Sequence, residues 1–109
     1  MSLLPCLYLD ASVELTEERE RHIARQHPDL LPDHWGRIAD TLTNLDQVRR
    51  SARLSNARLF FRWYDNLKGG NHVVVVVASD PATLSLRHWV VTAYITRRMP
   101  EGEIEWARG

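Results

Sequence analysis

The stretch "HVVVVVAS", residues 72–79, contains five consecutive valines and decides how the rest of the chain is interpreted. Valine is β-branched and favours extended strands. Side chains in a strand alternate between the two faces of a sheet, so a run that is apolar at every position predicts a strand covered on both faces. We therefore expect residues 72–79 to form a central strand.

Three neighbouring segments alternate with a period of two and extend this sheet. They are "QVRRSARL" (47–54), "RLFFRWY" (58–64) and "HWVVTAYI" (88–95). The turn-rich pieces "SNA", "DNLKGG" and "DPATLS" separate the successive strands. Four successive strands with short connections predict an antiparallel meander.

The N-terminal part of the chain predicts one strand followed by two helices. "CLYLDASVE" (6–14) alternates as a half-buried strand. Thr16 then caps a helix from about Glu17 to about His27, and Pro28 ends it.

Asp33 caps a second predicted helix, which ends near Thr43 or Asn44. Its apolar stripe consists of Trp35, Ile38, Ala39 and Leu42. We expect a single α+β domain over residues 1–109, with the N-terminal strand and two helices packed on one face of a four- to five-stranded antiparallel sheet.

The composition excludes several classes of protein. Net charge is zero, apolar residues make up 44% of the chain, and the longest apolar run is far shorter than the roughly 20 residues that span a bilayer. Cys6 is the only cysteine, which excludes an intramolecular disulfide and a cysteine-rich zinc site. No cofactor motif is present. We expect no cofactor, no metal, no membrane association and a cytoplasmic location.

Alternation divides the strand residues between a helix-covered face and an open face. The helix-covered face is predicted to hold Leu59, Phe61, Trp63, Trp89, Val91, Ala93 and Ile95. The open face is predicted to hold Phe60, Arg62, Tyr64, His88, Thr92 and Tyr94.

The histidines of the first helix are candidates for proton transfer. His22 and His27 stand five residues apart, about 140° round a helix, which disfavours a shared zinc ion. His27 has two interpretations: a helix-terminal histidine favoured by the helix dipole, or a functional group.

The candidate ligand-binding residues have structural alternatives of the same kind. Arg62 either pairs with Asp65 or Asp80, or contacts a phosphate, while Phe60 and Tyr64 beside it can stack a base. Thr92 and Tyr94 share a face but are also simply good strand formers, and Lys68 can mark only a hairpin tip. Five arginines without an intervening acid, a pattern suited to phosphate contacts, occur within residues 47–62: Arg49, Arg50, Arg53, Arg58 and Arg62.

Four motifs in order, "LTEERERHIARQHPDL", "LDQVRRS", "RLFFRWYD" and "HVVVVVAS…WVVTAYITR", resemble the phage-associated PBECR domains. These domains belong to the barnase, EndoU, colicin and RelE-like (BECR) superfold of metal-independent RNases. The resemblance covers roughly residues 12–98. Its most specific parts are "HIARQHP" and "TAY".

The resemblance implies a toxin-like endoribonuclease that forms a 2′,3′-cyclic phosphate. Its functional positions carry over to His22, His27, Arg62, Thr92 and Tyr94. The expected partners are RNA, including tRNA, and an antitoxin or immunity protein. Further RNA contacts are expected from Arg49, Arg53, Phe60, Tyr64, Lys68 and His88. Such toxins are commonly basic and this chain is neutral, so a non-catalytic module that binds RNA or protein is the alternative.

Overall fold

The computed structural model describes residues 1–80 and 87–109, which form two helices and a mixed seven-stranded sheet. The helices are α1 Glu17–Gln26 and α2 Trp35–Thr43, and the strands are β1 Ser2–Cys6, β2 Ala11–Leu15, β3 Gln47–Ser51, β4 Ala57–Tyr64, β5 Asn71–Ser79, β6 His88–Thr96 and β7 Gly102–Ala107. The α+β class is confirmed. The sheet has more strands than predicted, and its β2–β6 pairing is parallel.

The valine strand lies inside the sheet as predicted. The strand order is β1-β2-β6-β5-β4-β3-β7, and β5 pairs antiparallel with both β4 and β6. Residues 73–78 are buried because both faces of β5 are covered. The meander from β3 to β6 is confirmed, while residues 81–86, which include all of the predicted connection "DPATLS" except its first residue, lie outside the described residues.

The N-terminal segment differs from its prediction. Residues 6–14 do not form one strand, because the chain turns at residues 7–10 and β1 pairs antiparallel with β2. The Asp10 amide donates to the Leu7 carbonyl at 3.1 Å, and Asp10 has a φ of 52°. Aspartate tolerates this left-handed conformation, which makes a tight turn possible inside an alternating pattern.

The first helix begins as the sequence predicts, and the second does not. The Thr16 hydroxyl accepts a hydrogen bond from the Arg19 amide at 3.1 Å, and His27 follows α1 as its C-terminal cap residue. α2 begins after His34 and has no side-chain cap, so the predicted Asp33 cap is wrong. The His34 amide donates to the Leu30 carbonyl at 2.7 Å, so the chain turns once before the helix begins.

α1 lies along the edge of β6. β2 pairs with β6 only at Glu14 opposite Trp89, which leaves the rest of that edge without a partner strand in the described residues. The Arg19 guanidinium of α1 donates to the Val91 carbonyl at 3.2 Å on this edge. Because α1 flanks an edge, it can present side chains toward both faces of the sheet.

Each face of the sheet carries an apolar cluster. The helix-side core includes Phe60, Tyr64, Val73, Val75, Val77, Val90 and Ala93. The second cluster comprises the buried residues Ala57, Leu59, Phe61, Val74, Val76 and Ala78, with Trp89, Val91, Tyr94 and Met99 packed against it.

The predicted faces of β4 are therefore inverted: Phe60, Arg62 and Tyr64 point toward the helices. Alternation cannot orient this strand because every residue from 59 to 64 except Arg62 is apolar or aromatic.

The faces of β6 change at a β-bulge. Val77 is opposite Val90 and Val76 is opposite Thr92, which leaves Val91 as an extra residue. After the bulge, Ala93 and Ile95 face the helices and Thr92 and Tyr94 face away, as predicted. Before it, the predicted faces of His88 and Trp89 are wrong, and Val91 itself packs on the second cluster.

The last strand is absent from the sequence prediction. β7 pairs antiparallel with β3, but four of its six residues are exposed, so its sequence shows no clean alternation. Among the described residues, no helix is long and apolar enough to cross a membrane.

Candidate active site

A cleft of about 720 Å³ opens on the sheet face opposite the two helices, beside the second cluster. We call this space the cleft; its lining residues are His27, Ser51, Ala52, Arg53, Leu54, Leu59, Val76, Val91, Thr92, Tyr94, Pro100 and Glu101. β6 and β5 form its floor, while the connections after β3 and before β7 form its walls.

His27 and Tyr94 meet in the cleft. Their ring centroids are 5.7 Å apart, and the ring planes are tilted by 36°. His27 follows the last turn of α1, beside the edge of β6. From this position its imidazole reaches the sheet face that carries the cleft, opposite to the face on which α2 packs. The structure therefore joins two residues that the sequence analysis proposed separately.

Burial raises the pKa of the Tyr94 phenol, and the positive charge of Arg53 acts weakly in the opposite direction. The phenol consequently stays protonated near neutral pH and can donate a hydrogen bond to an anionic oxygen.

The bulge in β6 delivers Thr92 to the same space. Because Val91 is the extra residue, both Val91 and Thr92 line the cleft. Bulges commonly re-aim side chains next to active sites. The Thr92 hydroxyl adds a second neutral donor close to Tyr94.

A turn held by Ser51 positions Arg53. The Ser51 hydroxyl oxygen accepts hydrogen bonds from the backbone amides of Arg53 and Leu54, at 3.2 and 3.0 Å. This turn ends β3 and brings the exposed Arg53 to the cleft wall. Its guanidinium is the permanent positive charge of the cleft lining.

The wall beside this turn is formed by Pro100 and Glu101, because Ser51 of β3 pairs with Gly102 of β7, and Arg49 holds it in place. The Arg49 guanidinium donates to the Pro100 carbonyl at 2.9 Å and lies over the Phe61 ring at 5.6 Å. Glu101 is exposed and contributes a carboxylate to the lining. The sequence analysis missed Glu101, which lies beyond the predicted meander; its one signal is an acid immediately before the glycine that starts β7.

Arg62 does not lie in the cleft. Its Nε is 3.3 Å from a carboxylate oxygen of Asp40, and its Nη1 donates to the Asn44 carbonyl at 3.0 Å. The guanidinium also lies 5.2 Å from the centre of the Tyr64 ring. Arg62 thus connects β4 to α2 on the helix side. Of its two predicted interpretations, the ion pair is the one observed, but its acid is Asp40 rather than Asp65 or Asp80.

Three other predicted contact residues lie on the helix side of the sheet. Phe60 is fully buried. Tyr64 donates to Asp40 at 2.9 Å, and its pKa is raised to about 12, chiefly by burial. The His88 ring pairs with the Ser79 hydroxyl at 2.7 Å, and burial lowers the pKa of this histidine. None of the three side chains is among the lining residues of the cleft.

Of the remaining predicted residues, Lys68 and His22 also lie outside the cleft lining. Lys68 stands at the β4–β5 turn with a φ of 51° and pairs with Asp29 at 2.9 Å. His22 is half-buried on α1. Within residues 1–80 and 87–109, no group of three His, Cys, Asp or Glu side chains is placed to hold a metal ion.

A comparison with known proteins finds no matching family model, no matching curated protein and no matching solved structure. The resemblance to PBECR domains therefore remains a prediction from short motifs. The function of the cleft has to be argued from its own residues.

Proposed function

We propose that the cleft is the active site of a metal-independent endoribonuclease. The observation that carries the proposal is the contact between the His27 and Tyr94 rings in a cleft that also contains Thr92 and Arg53. These residue types supply a proton-transfer group, two neutral hydrogen-bond donors and a guanidinium, which suit an anionic phosphate that gains charge during reaction.

The reaction needs one group that accepts a proton and one that donates a proton. A base removes the 2′-hydroxyl proton, the 2′-oxygen forms a bond to phosphorus, and the bond from phosphorus to the 5′-oxygen breaks. An acid then protonates the departing 5′-oxygen, which leaves a 2′,3′-cyclic phosphate and a 5′-hydroxyl. A carboxylate can accept a proton and a histidine ring can donate one, so we assign Glu101 as the base and His27 as the acid.

The remaining side chains stabilise charge on the phosphate. The Arg53 guanidinium can donate two parallel hydrogen bonds to phosphate oxygens. The Tyr94 and Thr92 hydroxyls donate from the floor of the cleft, where partial burial strengthens each hydrogen bond. Arg53 therefore takes the phosphate-contacting role that the sequence analysis gave to Arg62.

The products of cleavage test this chemistry. Purified protein is incubated with an end-labelled oligoribonucleotide in EDTA, and the new ends are identified. We expect 2′,3′-cyclic phosphate and 5′-hydroxyl ends. A single 2′-deoxy substitution on the 5′ side of a cleaved bond should block cleavage at that bond alone. Products with 3′-hydroxyl ends, or cleavage that persists at the 2′-deoxy position, would contradict the mechanism.

A non-catalytic RNA- or protein-binding module is the second candidate. It is favoured by the Asp40 carboxylate that pairs with Arg62, and by a cleft whose Arg53 is accompanied by the acid Glu101. Binding of the oligonucleotide without cleavage between about pH 5 and pH 9, where histidine changes charge, would support this module. The nuclease proposal also includes RNA as the target, an antitoxin or immunity protein as a partner, and a cytoplasmic location.

A further inference from the structure

Trp63 is a large, exposed aromatic side chain on the same sheet face as the cleft. In β4 it is opposite His72 of β5, and His72 is opposite Thr96 of β6. Cross-strand neighbours share a face, and Thr96 shares its face with Tyr94 two residues earlier. The Trp63 side chain is 40% exposed, whereas Phe61, two residues earlier on the same face, is buried.

Three contacts hold the indole without burying it, and a hydrogen bond from the Trp63 backbone amide to Asp46 at 2.6 Å fixes the strand beneath it. The indole Nε1 donates to a carboxylate oxygen of Asp65 at 2.6 Å. The His72 ring packs against it at 4.9 Å with an interplanar angle of 72°. Gly70, at a φ of 112°, lies so close that a Cβ there would come within 2.7 Å of the ring.

An exposed ring that is already fixed loses little conformational entropy when it stacks on a partner. Indole also presents a large flat surface, and every nucleobase has a complementary flat face. Asp65 disfavours a phosphate at the N–H edge of the indole, so the favourable contact is a base on the exposed ring surface.

The position of Trp63 relative to the cleft fits a strand of RNA. Trp63 lies two strands and two residues from Tyr94, a separation of about 12 Å from the usual sheet spacings. A short single-stranded segment can bridge this distance. Exposed Arg97 approaches the β4–β5 turn, since its Nη2 lies 3.7 Å from where a Cβ on Gly69 would stand, and it supplies a cation for the RNA backbone.

We propose that Trp63 is a base-stacking subsite that binds one nucleobase of the single-stranded RNA whose backbone enters the cleft. This inference rests on the proposed function, because it specifies the substrate as single-stranded RNA that extends past the cleaved bond toward the Trp63 end of β4.

The experiment compares wild-type protein with Trp63→Ala, Trp63→Phe and the matched control Trp106→Ala. Trp106 is also 40% exposed, but it packs on Tyr8 on the helix side of the sheet. Two quantities are measured: binding of a labelled all-2′-deoxy oligonucleotide, which lacks the attacking hydroxyl, and kcat and KM for cleavage of RNA. Both use an oligonucleotide of roughly eight nucleotides, within the range that single-strand-binding folds cover, and cleavage is repeated with a dinucleotide.

We expect Trp63→Ala to weaken binding of the longer oligonucleotide by about 5- to 150-fold, the range for loss of one stacked base. KM for the longer RNA should rise by a similar factor with kcat unchanged, because stacking is remote from the reacting bond. The dinucleotide should be cleaved as by wild type. Trp63→Phe should restore most of the binding, and Trp106→Ala should bind as wild type.

Wild-type binding by folded Trp63→Ala would overturn the inference, as would an equal loss with Trp106→Ala or no binding by the wild-type protein. If wild type binds but does not cleave, and Trp63→Ala weakens binding while Trp63→Phe restores it, the nuclease proposal fails and the stacking subsite stands. If wild type cleaves and Trp63→Ala changes neither binding nor KM, the subsite fails and the nuclease stands.

Discussion

Arg53 and Arg62 belong to the same arginine-rich segment, yet the fold gives them different surroundings. Arg62 meets Asp40 on the helix side, where its charge is neutralised and its side chain spans α2 and β4. Arg53 is exposed at the cleft, on a turn held by Ser51. The same residue type therefore stabilises the fold at one position and is available to a phosphate at the other.

Substitution of these two arginines separates stability from chemistry. Arg53→Gln should lower kcat for RNA cleavage by about 100-fold or more, the usual cost of losing one group that stabilises charge in the transition state. Arg62→Gln should leave kcat nearly unchanged but lower the free energy of unfolding by about 0.2–1 kcal/mol, because half-exposed Asp40 loses a charged partner that solvent already screens.

Steady-state kinetics and chemical denaturation of both variants provide the measurement. If folded Arg62→Gln lost catalysis while Arg53→Gln kept it, the proposed role of Arg53 would be wrong and the sequence-based assignment of Arg62 would be correct.

At the scale of elements, the cleft wall depends on how closely β7 approaches β3. A Cβ on Gly102 would collide with the carbonyl oxygen of Arg50, so glycine permits the close start of β7 that places Pro100 and Glu101. Gly36 is a useful contrast, because it lies in α2 and a Cβ added there would meet no heavy atom within 4 Å.

Gly102→Ala should lower the free energy of unfolding by about 1–3 kcal/mol through overpacking and should reduce cleavage by displacing Glu101. The control Gly36→Ala should raise stability by about 0.4–1 kcal/mol, since alanine leaves the unfolded chain fewer conformations than glycine does. Denaturant unfolding and cleavage rates test both. Wild-type stability and activity in Gly102→Ala would show that the wall does not depend on this approach.

The sequence predicts the elements better than it predicts their faces. The valine run and the alternating segments identify β3 to β6, and Thr16 marks the start of α1. The bulge at Val91 is not encoded in any alternation, since it depends on how β6 registers against β5. In β4 nearly every side chain is apolar, so tertiary packing rather than periodicity selects the buried face.

The sequence predicts the candidate site only in part, because alternation assigns some of its residues to the correct face and tertiary packing determines the others. Thr92 and Tyr94 follow the bulge and keep their predicted face, and α1 carries His27 round the edge of β6. Glu101 lines the cleft because β7 pairs with β3 in a particular register, and β7 has no alternating pattern from which the sequence could predict it.

At the scale of the whole molecule, two half-buried or buried histidines connect stability to pH. Burial lowers the pKa values of His72 and His88 from the usual 6.5. The unfolded chain therefore takes up protons on these residues at a higher pH than the folded chain does. The free energy of unfolding should be highest above about pH 7 and should decrease as pH falls toward about 5.

Denaturant unfolding at several pH values measures this dependence, and His88→Gln should reduce its slope. The carboxylates whose pKa values are lowered by cationic partners, such as Glu14 beside Arg87, contribute at more acidic pH. A stability that stays constant from about pH 7 to about 5 would contradict the burial of both histidines.

The whole fold brings His27 and Glu101, from opposite ends of the sequence, to one cleft beside Tyr94. The most direct test of this account compares single-turnover RNA cleavage by wild type, His27→Gln and His22→Gln, with folding verified for each. We predict a loss of about 100- to 10,000-fold for His27→Gln, the range for a general acid, and a wild-type rate for His22→Gln, whose side chain lies outside the cleft lining. Equal rates for His27→Gln and wild type, or a selective loss in His22→Gln, would contradict the account.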